Sequence, residues 1–134
     1  NLVPKIPVII GSQLEKDFLN SKYVKEKFKF GNYRAIKYMN ENLPDKSKVL
    51  LWTNDGYYLN HNYLYSLGFI LMQADPNNIY NKQKIIEELK KHDITHVAYN
   101  DNYLRKRLKD TIIESNRLNQ IYQDNYMTVS EILY

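Results

Sequence analysis

Residues 35–54, AIKYMNENLPDKSKVLLWTN, contain a helix, its stop and a strand in one short run. Phe30, Tyr33, Ile36, Met39 and Leu43 recur at intervals of three or four residues, which draws a single apolar stripe along a helix. Gly31 or Asn32 can cap its start, and Pro44 ends it, because the residue before a proline is pushed out of the α region. Asp45-Lys46-Ser47 then turn the chain into Val49-Leu50-Leu51-Trp52. That run is apolar at successive positions, so both of its faces must be covered. Such strands sit in the middle of largely parallel sheets with helices on either side.

Working downstream, Asn54-Asp55-Gly56 give a turn, followed by the aromatic and polar segment Tyr57 to Tyr65. A second strand is expected at Leu67 to Met72. The loop Asp75-Pro76-Asn77-Asn78 leads to a helix from about Asn81 to Lys91, with Ile85, Ile86 and Leu89 inward. Lys84/Glu88 and Glu87/Lys91 have the i,i+4 spacing of pairs on its wet side. His92 and Asp93 finish it, one of them left-handed where glycine is commoner. Ile94 to Tyr99 reads as the third strand. Asp101 can cap a further helix carrying Leu104, Leu108 and Ile112, and Leu118 to Leu133 reads as a hairpin: LNQIYQ, a turn at Asp124-Asn125, then YMTVSEIL, which alternates.

Upstream, Pro4 and Pro7 impose an extended lead-in, and Val8 to Ile10 can add an edge strand. Ser12 and Glu15 form a capping box for a short helix from Gln13 to about Asn20, and Tyr23 to Phe30 is basic and aromatic. Strands alternating with helices predict a three-layer α/β/α sandwich with a Rossmann-like, mostly parallel sheet. Right-handed crossovers give the order second–first–third, with the hairpin on the edge beside the third strand. Residues 1–134 are expected to form a single domain.

The chain has 134 residues, 43% apolar and 25% charged, a globular balance with material for a core. It has no cysteine, which removes disulfides and thiolate metal sites. The formal charge of +4 is too small and too spread out for a nucleic-acid footprint, so no nucleic-acid partner is expected. Basic residues do gather at Lys22, Lys25, Lys27, Lys29, Arg34 and Lys37, and again at Arg105, Lys106, Arg107 and Lys109. Such runs are usually solvated faces; the functional version of Lys22–Lys37 is a surface near anionic lipid headgroups. No apolar run approaches the ~20 residues of a membrane helix. The first residue is Asn1 rather than Met, and the expectation is a piece cut from a longer membrane protein.

Catalytic motifs are absent from the sequence. His92 and His96 are four apart, but the expected helix ends between them and no HExxH occurs, so a structural role is the better reading. There is no GxSxG, GxGxxG or Walker loop, and four glycines leave little from which to build a phosphate cradle. No cofactor, metal site or catalytic residue is therefore assigned. Asn54 and Asp55 after the first strand, and Asn100 and Asp101 after the third, are expected at the carboxyl edge of the sheet, where open α/β folds bind ligands. The plainer role of such residues is to cap turns and helices. Tyr57, Tyr58, Tyr63 and Tyr65, interleaved with Asn60, His61 and Asn62, suit stacking on sugars and hydrogen bonding to hydroxyls. The plainer role here is rings divided between core and loop cover. Asn54, Asp55, Tyr57, Tyr58, Asn60, His61, Asn100 and Asp101 form the candidate ligand-binding set.

Four segments together carry a resemblance. AIKYMNENLPDKSKVLLWTNDGYYLNHNYL at 35–64 resembles the pattern yiNenlP-x-x-akVll followed by yYl, and VIIGSQLEKDFLNSK at 8–22 resembles a G-x-x-S/Q-x-x-e-y/f-L segment. LKKHDITHVAYN at 89–100 resembles L-x-x-x-GITHvlvn, and NYMTVSEIL at 125–133 resembles a closing strand ng-x-v-x-lY-x-l. The combination is similar to the C-terminal extracytoplasmic domain of bacterial membrane glycosyltransferases, relatives of the dolichyl-phosphate-mannose–protein mannosyltransferases. Asp93 stands where that family usually has glycine, and Ser130-Glu131 where a tyrosine often sits.

The resemblance implies a non-catalytic accessory domain at the outer face of the cytoplasmic membrane. Its partners would be the membrane domain of the same polypeptide and a glycan or polyprenyl-phosphate-linked sugar. In that family the catalytic acids lie in the membrane part, so none is carried over to this chain. Two other readings stand beside it: a free-standing α/β module binding a nucleotide or metabolite at the carboxyl edge of the sheet, and a self-association domain.

Overall fold

The computed structural model describes residues 32–53, 56–100, 105–115 and 117–134. The lead-in at Val8 to Ile10, the capping box at Ser12 with its helix, the basic residues Lys22 to Lys29, and Asn54, Asp55, Asp101 and Leu104 lie outside the described residues.

Helix α1 spans Tyr33–Asn42 and buries Ala35, Ile36 and Met39. Leu43 leaves the helix in an extended conformation ahead of Pro44, and its N–H still reaches the Met39 carbonyl. Asn32 is the N-cap residue, although its side chain makes no capping hydrogen bond. Strand β1, Lys48–Leu51, follows directly with Val49, Leu50 and Leu51 fully buried. The core strand read from the sequence is thus in place.

The sheet continues with β2 (Asn62–Tyr65), β3 (His96–Tyr99), β4 (Leu118–Gln123) and β5 (Thr128–Ile132), in the order β2-β1-β3-β5-β4. β1 pairs in parallel with β2 and β3, with Leu50 opposite Leu64 on one side and Val97 on the other. β5 pairs antiparallel with β3 and with β4, and the β4 partner slips between Gln120 and Tyr122. The expected order holds, and the hairpin lies beside the third strand with its return strand innermost.

Two apolar layers sandwich the sheet. On one face, Val49, Leu51, Ala98 and Val129 pack under Ala35, Ile36, Met39 and Leu43. On the other, Leu50, Val97 and Ile132 meet three more helices: α2 (Ser66–Leu71) through Phe69, α3 (Ile85–Lys91) through Ile85 and Leu89, and α4 (Lys106–Glu114) through Leu108 and Ile112. Neighbouring strand residues divide between the faces because strand side chains alternate. This is the three-layer α/β/α arrangement.

The second strand is displaced from its expected place. Leu67 to Met72 does not form it; Asn62–Tyr65 does, and α2 occupies most of the apolar run. A short apolar run fits a strand or a helix equally by periodicity. The edge position decides it, because an edge strand needs no apolar sequence on both faces. Helix α2 then carries Phe69 over the sheet while Leu67, Leu71 and Met72 remain exposed.

Helix α3 starts at Ile85, four residues after Asn81, which makes the entry turn. The Asn81 side-chain oxygen accepts from the Gln83 and Lys84 N–H groups at 2.8 and 3.1 Å. Lys84 therefore sits outside the helix, and neither the Lys84/Glu88 nor the Glu87/Lys91 pair closes. The helical ion pairs among the described residues are Lys37–Glu41 and Lys106–Asp110. Asp93 ends the segment at φ 59°, the left-handed residue expected there.

Candidate functional site

The chain ends of β1, β2 and β3 share one edge of the sheet, because the three strands run parallel. Sheet order reverses between β1 and β3, the point where open α/β folds usually leave a ligand crevice. Among the described residues, side chains crowd this point. Trp52, 3% exposed, continues β1 by donating its backbone N–H to the Ala98 carbonyl. Its ring meets Tyr99 edge-on at 6.4 Å, and its indole N–H donates to the Arg105 carbonyl at 3.3 Å. Lys109, 8% exposed, donates from Nζ to the Asn100 carbonyl at 2.8 Å and lies 5.7 Å from the centre of the Tyr99 ring. Burial pushes the Tyr99 hydroxyl above its ordinary pKa, opposed by a hydrogen bond with Ser130.

An opening lies one strand over, at the carboxyl ends of β1 and β2. It is a pocket of about 430 Å³ walled by Leu51, Leu64, Leu67 and Leu71, with Thr53 and Arg105 as polar groups. Arg105 holds a left-handed backbone at φ 54° and donates from Nε to the hydroxyl of the fully buried Ser66. Sequence reading did not single out this pocket. Arg105 sat within a basic run that looked like a solvated face, and Leu67 and Leu71 within a run that looked like a strand. The other basic residues of that run do separate tasks: Lys106 pairs with Asp110, and the Arg107 guanidinium stacks 4.1 Å over the Tyr80 ring.

The candidate set read from sequence divides between the two edges of the sheet. Asn100 is at the carboxyl edge, where its carbonyl serves Lys109. Asn54, Asp55 and Asp101 lie outside the described residues. The Gly56–His61 connection runs along the α1 face and delivers Asn60 and His61 to the amino end of β2. Tyr58 is core, and Tyr57 packs beside it edge-on at 5.1 Å.

Asn40 of α1 holds that connection at two points: its amide donates to the Tyr58 carbonyl at 3.0 Å, and its oxygen accepts the Asn60 N–H at 2.7 Å. His61 Nε2 lies 3.1 Å from the Met39 carbonyl, and since a carbonyl only accepts, Nε2 carries the proton. Its Nδ1 is buried with no hydrogen-bond partner among the described residues. A Cβ on Gly56 would come within 2.6 Å of the Tyr63 ring, so a larger residue here would require that ring to shift.

The remaining two histidines pack against neighbours in the fold. His92 meets the Phe69 ring edge-on at 5.3 Å. His96 lies in β3, with Nδ1 2.8 Å from the Thr95 hydroxyl. Burial holds its pKa below 6.5; Glu131 opposes that shift and His61 adds to it. Among the described residues no group of three or more His, Asp or Glu side chains is placed to hold a metal ion.

No family model matches this chain, and neither does any curated protein or solved structure.

Proposed function

We propose that this chain is a non-catalytic accessory domain of a membrane glycosyltransferase that draws its sugar from a lipid carrier. It would stand at the outer face of the cytoplasmic membrane and pack over the membrane domain of the same polypeptide. One observation supports this reading above the others. The described segments that carry the family resemblance fold as neighbours. Residues 35–64 supply α1, β1 and β2, residues 89–100 supply β3, and residues 125–133 supply β5. These strands stand side by side in the sheet in the order β2-β1-β3-β5.

The basic Lys22–Lys37 stretch supplies a headgroup-facing surface in this reading. Of its described members, Arg34 is exposed, while Lys37 is engaged with Glu41 at 2.6 Å. The test is to sequence the reading frame that encodes this chain. Multiple hydrophobic spans in continuous frame with residues 1–134 are expected. A native protein that begins near Asn1 and turns over a substrate unaided would overturn the proposal.

A second reading, a metabolite-binding α/β module, is favoured by one specific feature. The pocket beside Arg105 lies at the sheet edge where such ligands bind.

A further inference from the structure

We propose that the pocket at the carboxyl ends of β1 and β2 binds an amphiphilic oxyanion, with Arg105 taking the head and the leucine walls taking a short hydrocarbon tail. This deepens the metabolite-binding reading and does not depend on the accessory-domain one.

The tail site follows from the walls. Leu51, Leu64, Leu67 and Leu71 line a space of about 430 Å³, within the size range of small-molecule sites. Leu67 and Leu71 are 49% and 74% exposed, one helical turn apart on the same flank of α2. Leucines left this bare beside a cavity gain by being covered.

The head site follows from Arg105. Its Nε is committed to the buried Ser66 hydroxyl, which fixes the plane of the guanidinium. No carboxylate among the described residues pairs with it. The remaining N–H groups of a fixed guanidinium present a fork that matches two oxygens of one carboxylate or phosphate. The backbone beneath is also held: Arg105 keeps φ at 54°, and Trp52 donates to its carbonyl. A non-glycine residue kept in the left-handed region needs surroundings that enforce it, and such strain gathers at binding sites. The cation is therefore positioned before any ligand arrives. The adjoining walls are apolar, so an oxyanion there meets its charge in a lower dielectric than water.

The test is an NMR titration of the whole chain with octyl phosphate, octanoate, octanol and inorganic phosphate, all below micellar concentrations. Saturable shifts of the Leu64, Leu67 and Leu71 methyl groups are expected with at least one of the two amphiphilic anions. That anion should bind at least tenfold more tightly than octanol or inorganic phosphate. If only one binds, it identifies the head as phosphate or carboxylate. Arg105→Gln should weaken binding at least tenfold. Should that variant fail to fold, Leu71→Asp decides: at so exposed a position it leaves the melting temperature unchanged, and it should also weaken binding at least tenfold. Equal affinity for octanol, equal affinity for inorganic phosphate, unchanged binding in a folded Arg105→Gln or Leu71→Asp, or no saturable shift would each overturn the proposal.

Discussion

Strand β2 has a segment attached at each end, and the two behave in opposite ways. Residues 56–61 enter it with a polar and aromatic sequence, yet Tyr58 and Leu59 are buried and the backbone is fastened to α1. Residues 66–72 leave it as SLGFILM, yet only Ser66 and Phe69 are buried. Position relative to the sheet governs the outcome. The entering segment crosses the α1 face, so Tyr58 and Leu59 become core, and its polar backbone must find partners. The departing helix covers the rim of the other face, where Phe69 is the buried anchor, Ile70 packs partly beside it, and Leu67, Leu71 and Met72 stay exposed.

Breaking the anchor of α2 should give the largest effect. Phe69→Ala removes a fully buried ring from the layer that holds Leu50, Ile79 and Leu89. A loss of about 3–5 kcal/mol in denaturant unfolding is expected. If the loss were below ~1 kcal/mol, α2 would not be anchored as described.

Unfastening the entering segment should cost less. Asn40→Ala deprives the Tyr58 carbonyl and the Asn60 N–H of their partner. A loss of about 1–3 kcal/mol is expected, with faster amide exchange confined to residues 58–61. Uniformly faster exchange would mean that the clamp is not local.

The smallest effect is one of pH, on the α1 side. His96 has a folded pKa held below its ordinary 6.5 by burial, so the native state favours neutral imidazole. Above pH 6.5 the stability this confers is fully present. As pH falls through 6.5 toward the lower folded value, the unfolded chain binds a proton first and stability declines. His96→Gln should flatten that decline in melts taken between about pH 7.5 and 5. A curve of unchanged slope would place the titration elsewhere.

How much of this was legible in the sequence follows from which forces act locally. Helix α1, its stop at Pro44, strand β1 and the left-handed Asp93 are set by short-range period, proline sterics and turn chemistry, and all were readable. The hairpin was readable too, because a turn signal at Asp124-Asn125 separates two short runs rich in apolar residues. The place of β2 was not, since NYLY has little strand signature of its own and is held as a strand by pairing with the preceding KVLL. The clamp by Asn40 joins residues 18 and 20 positions apart and leaves no mark in spacing. Arg105 was hidden for a related reason. Within a row of basic residues nothing local distinguishes Arg105 and Lys109, which turn inward, from Lys106 and Arg107, which stay exposed.

The arrangement of the last three strands also bears on the order of assembly. Thr128–Ile132 lies between β3 and β4, so the sheet's interior includes one of the latest-made parts of this stretch of chain. While a ribosome is still adding residues 100–127, one flank of His96–Tyr99 lacks its hydrogen-bonding neighbour. That flank is open to wrong pairings until residue 132 emerges, a hazard common to topologies closed by a distant strand.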